Sequence, residues 1–269
     1  MSTPAETPVY VSASDPQKYR DQYKLIYPMA SAELKAECGH TLGGMFWWFI
    51  DPLLSILVFY IAFSYILQSG GKEFIAFLCV GTLTWRWFQC SVLRGCGAIL
   101  DAPHILHKIY IHKAVLVGVS LLADSFKFLV TLIPLFLLVI LLGYPPSPFW
   151  IALPLVILTQ AVLTIAVVAL SAAITPFMPD LRNLLQHFLQ LLIFVSGVFF
   201  DITLITPRLK PLVMLNPLTG IIQGYRDCLL YQTWPNFHYL GIVFALSLMV
   251  MGVAFALINH YDREYAKIC

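Results

Sequence analysis

The amino-acid sequence predicts an all-α membrane protein of about six transmembrane helices. Hydrophobic residues make up 59% of the 269 residues and charged residues only 11%, against about 25% charged residues in an ordinary soluble domain. The apolar residues come in long runs, and a bilayer core of about 30 Å takes roughly 20 apolar residues per helix. The runs show no alternation with a period of two, so we expect helices and not barrel strands.

Six apolar runs are the candidate spans. Their approximate bounds are 46–67, 74–93, 114–142, 150–174, 184–200 and 239–258. The third is long enough to tilt, to bend at Pro134 or to project into water. These bounds predict a transmembrane domain over residues 44–260, between a cytoplasmic N-terminal region (1–43) and a cytoplasmic tail (261–269).

The Lys and Arg residues beside the spans predict the orientation, because cytoplasmic loops carry an excess of these cations. One side of the predicted membrane has Lys18, Arg20, Lys24, Lys35, Arg94, Lys108, Lys113, Arg182, Arg263 and Lys267. The other side has only Lys72, Arg208, Lys210 and Arg226. We therefore expect a multi-pass protein with both termini in the cytoplasm.

Two segments are too polar or too broken to span. Residues 17–40 mix charged side chains with Leu25, Ile26, Met29 and Leu34, which predicts an amphipathic helix at the cytoplasmic interface with its apolar side in lipid. A soluble cytoplasmic helix is the alternative.

The second such segment, residues 201–238, holds short apolar pieces separated by Pro207, Pro211 and Pro217. Each piece is too short to cross a membrane, so we predict re-entrant or interfacial helices between spans five and six. A folded extracellular loop is the alternative.

The first span opens with aromatic and acidic residues. Trp47, Asp51 and Ser55 recur every four residues and share one helix face. An acidic side chain near the membrane normally faces protein or water and not lipid. The face is therefore either a pore-facing stripe or part of a tryptophan belt at the headgroup level.

The second and third spans carry charges at membrane depth. Arg86 lies about a dozen residues into the second run, between Trp85 and Trp87. Asp124 and Lys127 of the third span stand at i, i+3 and are close enough to pair. Two interpretations are open: charge pairing that holds helices together, or contact of Arg86 with an anionic substrate.

A short cytoplasmic segment, residues 101–113, follows the second span. Asp101 suits a helix N-cap, Pro103 is tolerated in a first turn, and Ile105 and Ile109 then face one way. We predict a short amphipathic helix that docks a soluble partner. Its histidines have no companion ligand cluster, so no metal site is expected there.

Charge and cysteine content exclude two classes of function. A net charge of +2 does not indicate a nucleic-acid surface. The six cysteines are scattered in or beside apolar runs, and Cys90 and Cys96 lack the spacing of a zinc pair. We interpret the thiols as small apolar fillers.

The pattern Gly44-x2-Trp47-x3-Asp51-Pro52 resembles the Gly-x2-Trp-x3-Glu-Pro opening of the first span in ABC-2 type polysaccharide-export permeases. Residues 179–183 resemble the family's acidic turn before span five, and residues 215–218 with Tyr225-Arg226 its Asn-Pro…Arg segment. Residues 105–113 stand where the family has its coupling helix. Two positions depart from the pattern: Asp51 replaces the commoner Glu, and His112 stands where Pro is frequent.

The resemblance implies a homodimer of permeases with two ATPase subunits beneath, moving a lipid-linked capsule, O-antigen or teichoic acid chain outward across the bacterial inner membrane. The chain contains no G-x4-G-K-[ST] motif, since Gly70-Gly71-Lys72-Glu73 lacks the spacing and the hydroxyl. We therefore expect a transporter subunit and not an enzyme. It would bind no cofactor, and ATP and magnesium would belong to the partner subunit.

A glycan conduit needs many weak contacts, because one tight site would stall the chain. Aromatic walls provide such contacts to the C–H faces of sugar rings. The predicted conduit residues are Trp47, Trp48, Asp51, Tyr60, Trp85, Arg86 and Phe88. The predicted ATPase-coupling residues are Asp101, His104, Ile105, Lys108, Ile109 and Tyr110.

Three other functions are alternatives. An ABC-2 permease for a drug or a free lipid would have a large extracellular domain or a less aromatic entry to the first span. An intramembrane enzyme would need a Ser–His, paired-Asp or His–Glu–His group at membrane depth, and Asp51 and Asp124 lie on different spans with no sign of a shared site. A passive structural membrane module is the third.

Overall fold

The computed structural model describes residues 22–39, 43–61, 72–101 and 111–268, and these ranges form helices and turns without a β-strand. The coupling residues His104, Ile105, Lys108, Ile109 and Tyr110 lie outside the described residues, as does the side chain of Tyr60. The architecture is therefore all-α, as predicted.

The helices follow one another along the chain with these bounds: α1 Ile26–Gly39, α2 Trp47–Tyr60, α3 Lys72–Gly95, α4 Lys113–Leu141, α5 Leu153–Ile174, α6 Leu181–Val195, α7 Lys210–Met214, α8 Pro217–Leu229 and α9 Phe237–Ile268. Short 3₁₀ turns lie at Gly44–Phe46, Pro148–Ala152 and Ile202–Leu204. The core is formed by α3, α4, α5, α8 and α9 packed on one another.

Within the described residues, three helical stretches are long and apolar enough to cross a membrane: Lys113–Leu141, Pro148–Ile174 and Phe237–Asp262. At about 1.5 Å per residue, even the shortest, 26 residues, exceeds the roughly 30 Å hydrocarbon core. They confirm the third, fourth and sixth predicted spans as membrane-length helices. α4 continues through Pro134 without ending there. The count of six spans stays a prediction.

The fifth predicted span, 184–200, is wrong at its C-terminal end, because α6 ends at Val195. Gly197 then takes a φ of +72°, a left-handed conformation that favours glycine. The Ser196 hydroxyl donates to the Leu192 carbonyl at 2.6 Å and accepts from the Asn216 amide at 2.7 Å. The apolar run continues past this turn, but the helix does not.

The N-terminal helix also differs from its prediction. Residues Ile26, Met29 and Ala30 of α1 pack against an apolar cluster that includes Val115 and Val119 of α4. Its apolar side therefore contacts protein at these positions, where the sequence predicted contact with lipid. The reason is that α4 presents a matching apolar patch, which helix periodicity alone does not reveal.

Between α6 and α9 the structure has the short helices predicted for residues 201–238. α8 begins with Pro217 in its first turn, and the Asn216 side chain caps it by accepting a hydrogen bond from the Leu218 N–H at 3.1 Å. Most of α8 is buried in the protein. Whether these helices re-enter the membrane stays a prediction.

Arg226 ties α8 to the rest of the core. Its side chain is fully buried and donates to the carbonyl oxygens of Gly197 (2.6 Å), Val198 (2.9 Å) and Phe77 (3.2 Å). The guanidinium carbon lies 3.3 Å from the centre of the Phe77 ring. Gly81 leaves room for this, because a Cβ there would lie 2.5 Å from Arg226 Nη2. The Arg of the Asn-Pro…Arg segment therefore has a structural role.

Replacing Arg226 with Met should strongly destabilise the protein, because three carbonyl acceptors lose their donor and buried unpaired polar groups are unfavourable. We expect a loss on the order of 3 kcal/mol, measured as a lower thermal unfolding midpoint in detergent. The control is Arg208→Met, since Arg208 is exposed. Equal midpoints for the two variants would contradict the anchoring role.

Asp201 closes the 3₁₀ turn that follows α6. Its carboxylate accepts hydrogen bonds from the Thr203 N–H (2.8 Å), the Thr203 hydroxyl (2.7 Å) and the Tyr231 hydroxyl (2.9 Å). Burial raises the pKa of this carboxyl, but these hydrogen bonds and the charge of Arg226 outweigh burial and leave the pKa below its ordinary value. The stabilisation that these hydrogen bonds to the ionised carboxylate give is therefore complete above the unfolded-state pKa of about 3.9. It is lost as the pH falls through the lower folded-state pKa.

Acidification should therefore weaken this turn, and Asp201→Asn should remove the corresponding part of the pH dependence. Unfolding midpoints recorded from pH 7 down to about pH 3 test this, the wild type falling more steeply than the variant below about pH 4. Asp180→Asn is the control, because the Asp180 side chain does not cap its helix. Parallel curves for Asp201→Asn and the wild type would refute the assignment.

Candidate functional site

A cavity of about 290 Å³ lies between the end of α1, the first turns of α2, the second half of α3 and the middle of α4. Its lining combines aromatic rings with charged side chains. The lining residues are Glu37, Gly44, Trp47, Trp48, Asp51, Leu83, Arg86, Trp87, Cys90, Arg94, Asp124, Lys127, Phe128 and Thr131.

Tryptophans supply much of the apolar wall. Trp87 stacks on Phe128 with ring centres 4.0 Å apart and planes within 8°. Trp48 meets Phe126 edge-on at 6.3 Å, with the Lys127 ammonium 5.8 Å from the Trp48 ring centre. Trp47 is 45% exposed. The cavity therefore presents flat aromatic surface from α2, α3 and α4.

Asp51 and Arg86 form an ion pair across the cavity wall. Arg86 Nη2 donates to Asp51 Oδ2 at 3.0 Å, which joins α2 to α3. Both side chains are partly exposed. Of the two interpretations left open for Arg86, pairing between helices is therefore the one that the structure shows.

A second set of charges surrounds Asp124, whose carboxylate is 4% exposed. Arg94 contacts Asp124 at 2.7 Å and Glu33 at 3.0 Å. Lys127 contacts Glu37 at 2.5 Å and Asp124 at 3.8 Å. We call these five side chains the Asp124 network. It joins α1, α3 and α4, and it contains the i, i+3 pair predicted within α4.

The sequence-based view of the two aspartates is wrong in one respect. Asp51 and Asp124 were expected to share no site, yet both line the same cavity. They meet there because α2 and α4 both pack against α3. Each is bound to its own arginine, Asp51 to Arg86 and Asp124 to Arg94. The pair is therefore engaged in helix-joining ion pairs.

The structure brings together Trp47, Trp48, Asp51 and Arg86 of the predicted conduit set. Trp85 and Phe88 are only 1% and 5% exposed and lie outside the cavity lining. Their assignment to a conduit stays a prediction. Sequence reasoning missed Glu33, Glu37 and Arg94, whose charges beside the predicted membrane were the available signal.

Two further positions differ from simple expectation. Cys90, interpreted as a buried filler, is exposed and lines the cavity, whereas Cys79, Cys96 and Cys228 are buried. Asp101 of the predicted coupling segment accepts two contacts from Arg182 Nη1, at 3.1 and 3.0 Å.

Within the described ranges, no group of three His, Cys, Asp or Glu side chains could hold a metal ion.

Known proteins resemble this chain along most of its length. It is 28% identical over 251 residues to the O-antigen export system permease protein RfbA of Myxococcus xanthus, covering 91% of this chain and 96% of that protein. Two Klebsiella pneumoniae proteins of the same name are 21% and 20% identical over 247 residues. Each alignment covers 91% of this chain and 95% of the Klebsiella protein. No protein-family model matches the chain.

These similarities over 91% of the chain support an ABC-2 type polysaccharide-export permease. The resemblance inferred from the Gly44-x2-Trp47-x3-Asp51-Pro52 opening and the segments after it is thereby confirmed. In this permease the Trp and Asp of that opening line the cavity, and the Asp holds α2 against α3 through Arg86.

Replacing Arg94 with Met should destabilise the permease by about 3 kcal/mol, because the buried Asp124 loses its closest cation. Thermal unfolding in detergent measures the loss. Arg182→Met is a matched control, since the Arg182–Asp101 pair is about half exposed and such pairs contribute about 0–1 kcal/mol. Similar losses from both variants would argue against the central role of the Asp124 network.

Proposed function

We propose that this permease is the transmembrane subunit of an ATP-driven ABC exporter that moves a lipid-linked polysaccharide of the O-antigen or capsule type across the bacterial inner membrane. The observation that carries the proposal is the full-length similarity to proteins named O-antigen export system permeases. The membrane-length helices and the aromatic cavity fit that activity.

The energy for export would come from a separate ATPase subunit, which would also hold ATP and magnesium. Support comes from the sequence, which has no phosphate-binding loop motif. Asp101 stands at the start of the predicted coupling segment and binds Arg182 at the N-terminus of α6. This contact would connect the predicted coupling segment to α6.

The conduit would form between two copies of the permease. α6 has a strongly apolar face that the described part of one chain leaves uncovered, with exposed Leu184, Phe188, Leu191 and Phe194. A second copy, membrane lipid or the aliphatic tail of the substrate would cover it. Aromatic side chains along the route would give the weak, repeated contacts that a moving glycan requires.

The cavity would open toward the cytoplasmic half of the membrane. Arg86, Cys90 and Arg94 lie in the second half of α3, and the chain next enters the predicted cytoplasmic segment 101–113. The Lys and Arg distribution supports both termini on that side. The cavity would then face the compartment in which the lipid-linked glycan is made.

Deleting the gene should abolish surface glycan and leave lipid-linked glycan inside the cell, measured by glycan extraction and surface labelling. Re-expression of the permease with its ATPase should restore export. Export that survives the deletion, or that proceeds without any ATPase, would overturn the proposal.

The coupling assignment has its own test. Changing Ile105 and Ile109 together to Asp should remove co-purification of the ATPase subunit, because charged groups replace the apolar docking side. Leu204→Asp is the matched control, since Leu204 is 85% exposed and lies on the predicted outer side. Retention of the ATPase by the double variant would place the docking surface elsewhere.

A further inference from the structure

The two halves of α1 are held against the protein by different interactions. In the first half, Ile26, Met29 and Ala30 pack in one apolar cluster with Val115 and Val119 of α4. Ala30 is the one residue of α1 that is buried, and no α1 side chain after it belongs to an apolar cluster. Apolar burial therefore holds the first half of the helix and contributes little to the second.

Two further contacts fix the beginning of α1. The Ile26 side chain lies so close to α4 that a Cβ placed at Gly118 would be 2.9 Å from Ile26 Cδ1. Just before α1, the Gln22 side chain accepts a hydrogen bond from the His112 N–H at 2.9 Å. Both contacts lead to one short stretch of chain, residues 112–118, so the start of α1 is held at several points.

The second half of α1 is held by two ion pairs, which we call the latch. Glu33 contacts Arg94 at 3.0 Å, and Glu37 contacts Lys127 at 2.5 Å. The two glutamate side chains are 39% and 43% exposed, so water competes for their carboxylates. Ion pairs whose carboxylate stays in water contribute little to stability, and the latch can therefore break at low cost.

Breaking the latch would leave no buried charge without a partner. The buried carboxylate of Asp124 contacts Arg94 at 2.7 Å and lies 3.8 Å from Lys127. Both cations therefore keep a carboxylate beside them when Glu33 and Glu37 move into water. An unpaired buried charge is the main cost of separating such groups, and that cost does not arise here.

The latch lies at the wall of the cavity. Glu37, Arg94 and Lys127 all line the cavity, and the end of α1 forms one of its sides. The other sides come from α2, α3 and α4, which pack on one another. Moving the end of α1 would therefore widen the cavity without breaking the contacts among the other three helices.

We propose that α1 is a flap over the cavity, fixed at residues 22–30 and closed by the latch. When Glu33 and Glu37 leave their cations, α1 pivots about its fixed end and opens the cavity to water. The closed position in the structure limits access to the cavity. The flap does not depend on the identity of the transported molecule, but its use in admitting a lipid-linked glycan rests on the proposed function.

Cys90 reports whether the cavity is open, because its side chain is exposed and lines the cavity. Cys38 and Cys269 are replaced by Ala, and membrane vesicles containing the permease with its ATPase are treated with a small or a bulky uncharged maleimide. The ratio of the two rates measures access, since a change in the thiolate fraction alters both rates equally. Glu33→Gln with Glu37→Gln weakens the latch and should raise the bulky-to-small ratio at least fivefold.

The matched control is Glu73→Gln with Glu264→Gln, which removes the same charge from two exposed side chains outside the cavity lining. Its ratio should equal that of the parent protein. The buried thiols of Cys79, Cys96 and Cys228 should stay unlabelled in both variants, which shows that the fold is intact. An unchanged ratio in the latch variant would overturn the flap.

Crosslinks at the two ends of α1 give a second, independent test. At the latch, Glu37→Cys is paired with Lys127→Cys, and at the fixed end Ile26→Cys is paired with Gly118→Cys. A short, reducible bis-methanethiosulfonate joins each pair. Both pairs are placed in a permease whose other accessible cysteines are replaced by Ala, namely Cys38, Cys90 and Cys269.

Glycan uptake into inside-out vesicles supplied with lipid-linked glycan and ATP is the measurement. Crosslinking the latch pair should lower uptake at least tenfold, and reduction of the crosslinker should restore it. Crosslinking the pair at the fixed end should leave uptake within twofold, because those positions do not separate when the flap opens. Equal effects of the two crosslinks would overturn the flap.

Failure of the proposed function gives a different result. If vesicles containing the parent permease and its ATPase take up no glycan before crosslinking, the export function is wrong. The labelling ratio of Cys90 needs no transport, so it still decides whether α1 opens over the cavity.

Discussion

A carboxylate buried among packed helices needs cations within a few ångströms, and Asp124 is such a carboxylate. Arg94 of α3 and Lys127 of α4 meet it, and their remaining charge draws Glu33 and Glu37 of α1 into contact. The N-terminal helix is thus held against the bundle by charge as well as by its small apolar cluster. The space left beside this network is the cavity, and the Asp51–Arg86 pair completes its charged lining.

Elsewhere in the core, the buried guanidinium of Arg226 donates hydrogen bonds to backbone carbonyl groups. Where α6 ends at Val195, the following carbonyl groups leave the helix, and unpaired backbone groups are unfavourable away from water. Arg226 binds the carbonyls of Gly197 and Val198 and also reaches Phe77 on α3. The Asn-Pro…Arg segment of this family therefore stabilises a helix break in this chain, and its Arg is not available for the substrate.

Hydropathy predicted the long apolar helices. It missed the features that depend on backbone conformation or on contacts between residues far apart in the chain. The third, fourth and sixth runs became long helices because nothing within them interrupts the backbone; even Pro134 is accommodated inside α4. The fifth run was predicted too long, because the positive φ of Gly197 and the Ser196–Asn216 hydrogen bond carry no hydropathy signal. The membrane face assigned to α1 was wrong at Ile26 and Met29 for a related reason: the partner surface lies about ninety residues further along the chain.

Sequence patterns alone predicted the all-α membrane class, six spans of which three are membrane-length helices, and the resemblance to polysaccharide-export permeases, because run length, composition and motif order are properties of the chain alone. It also predicted Trp47, Trp48, Asp51 and Arg86 as conduit residues, and these four line the cavity. The packed helices show that Asp51 contacts Arg86, that Arg94 contacts Asp124, and that Trp87 rather than Trp85 lines the cavity. Those outcomes depend on the rotation and packing of α2, α3 and α4, and distances between separate helices are not encoded in any local pattern of residues.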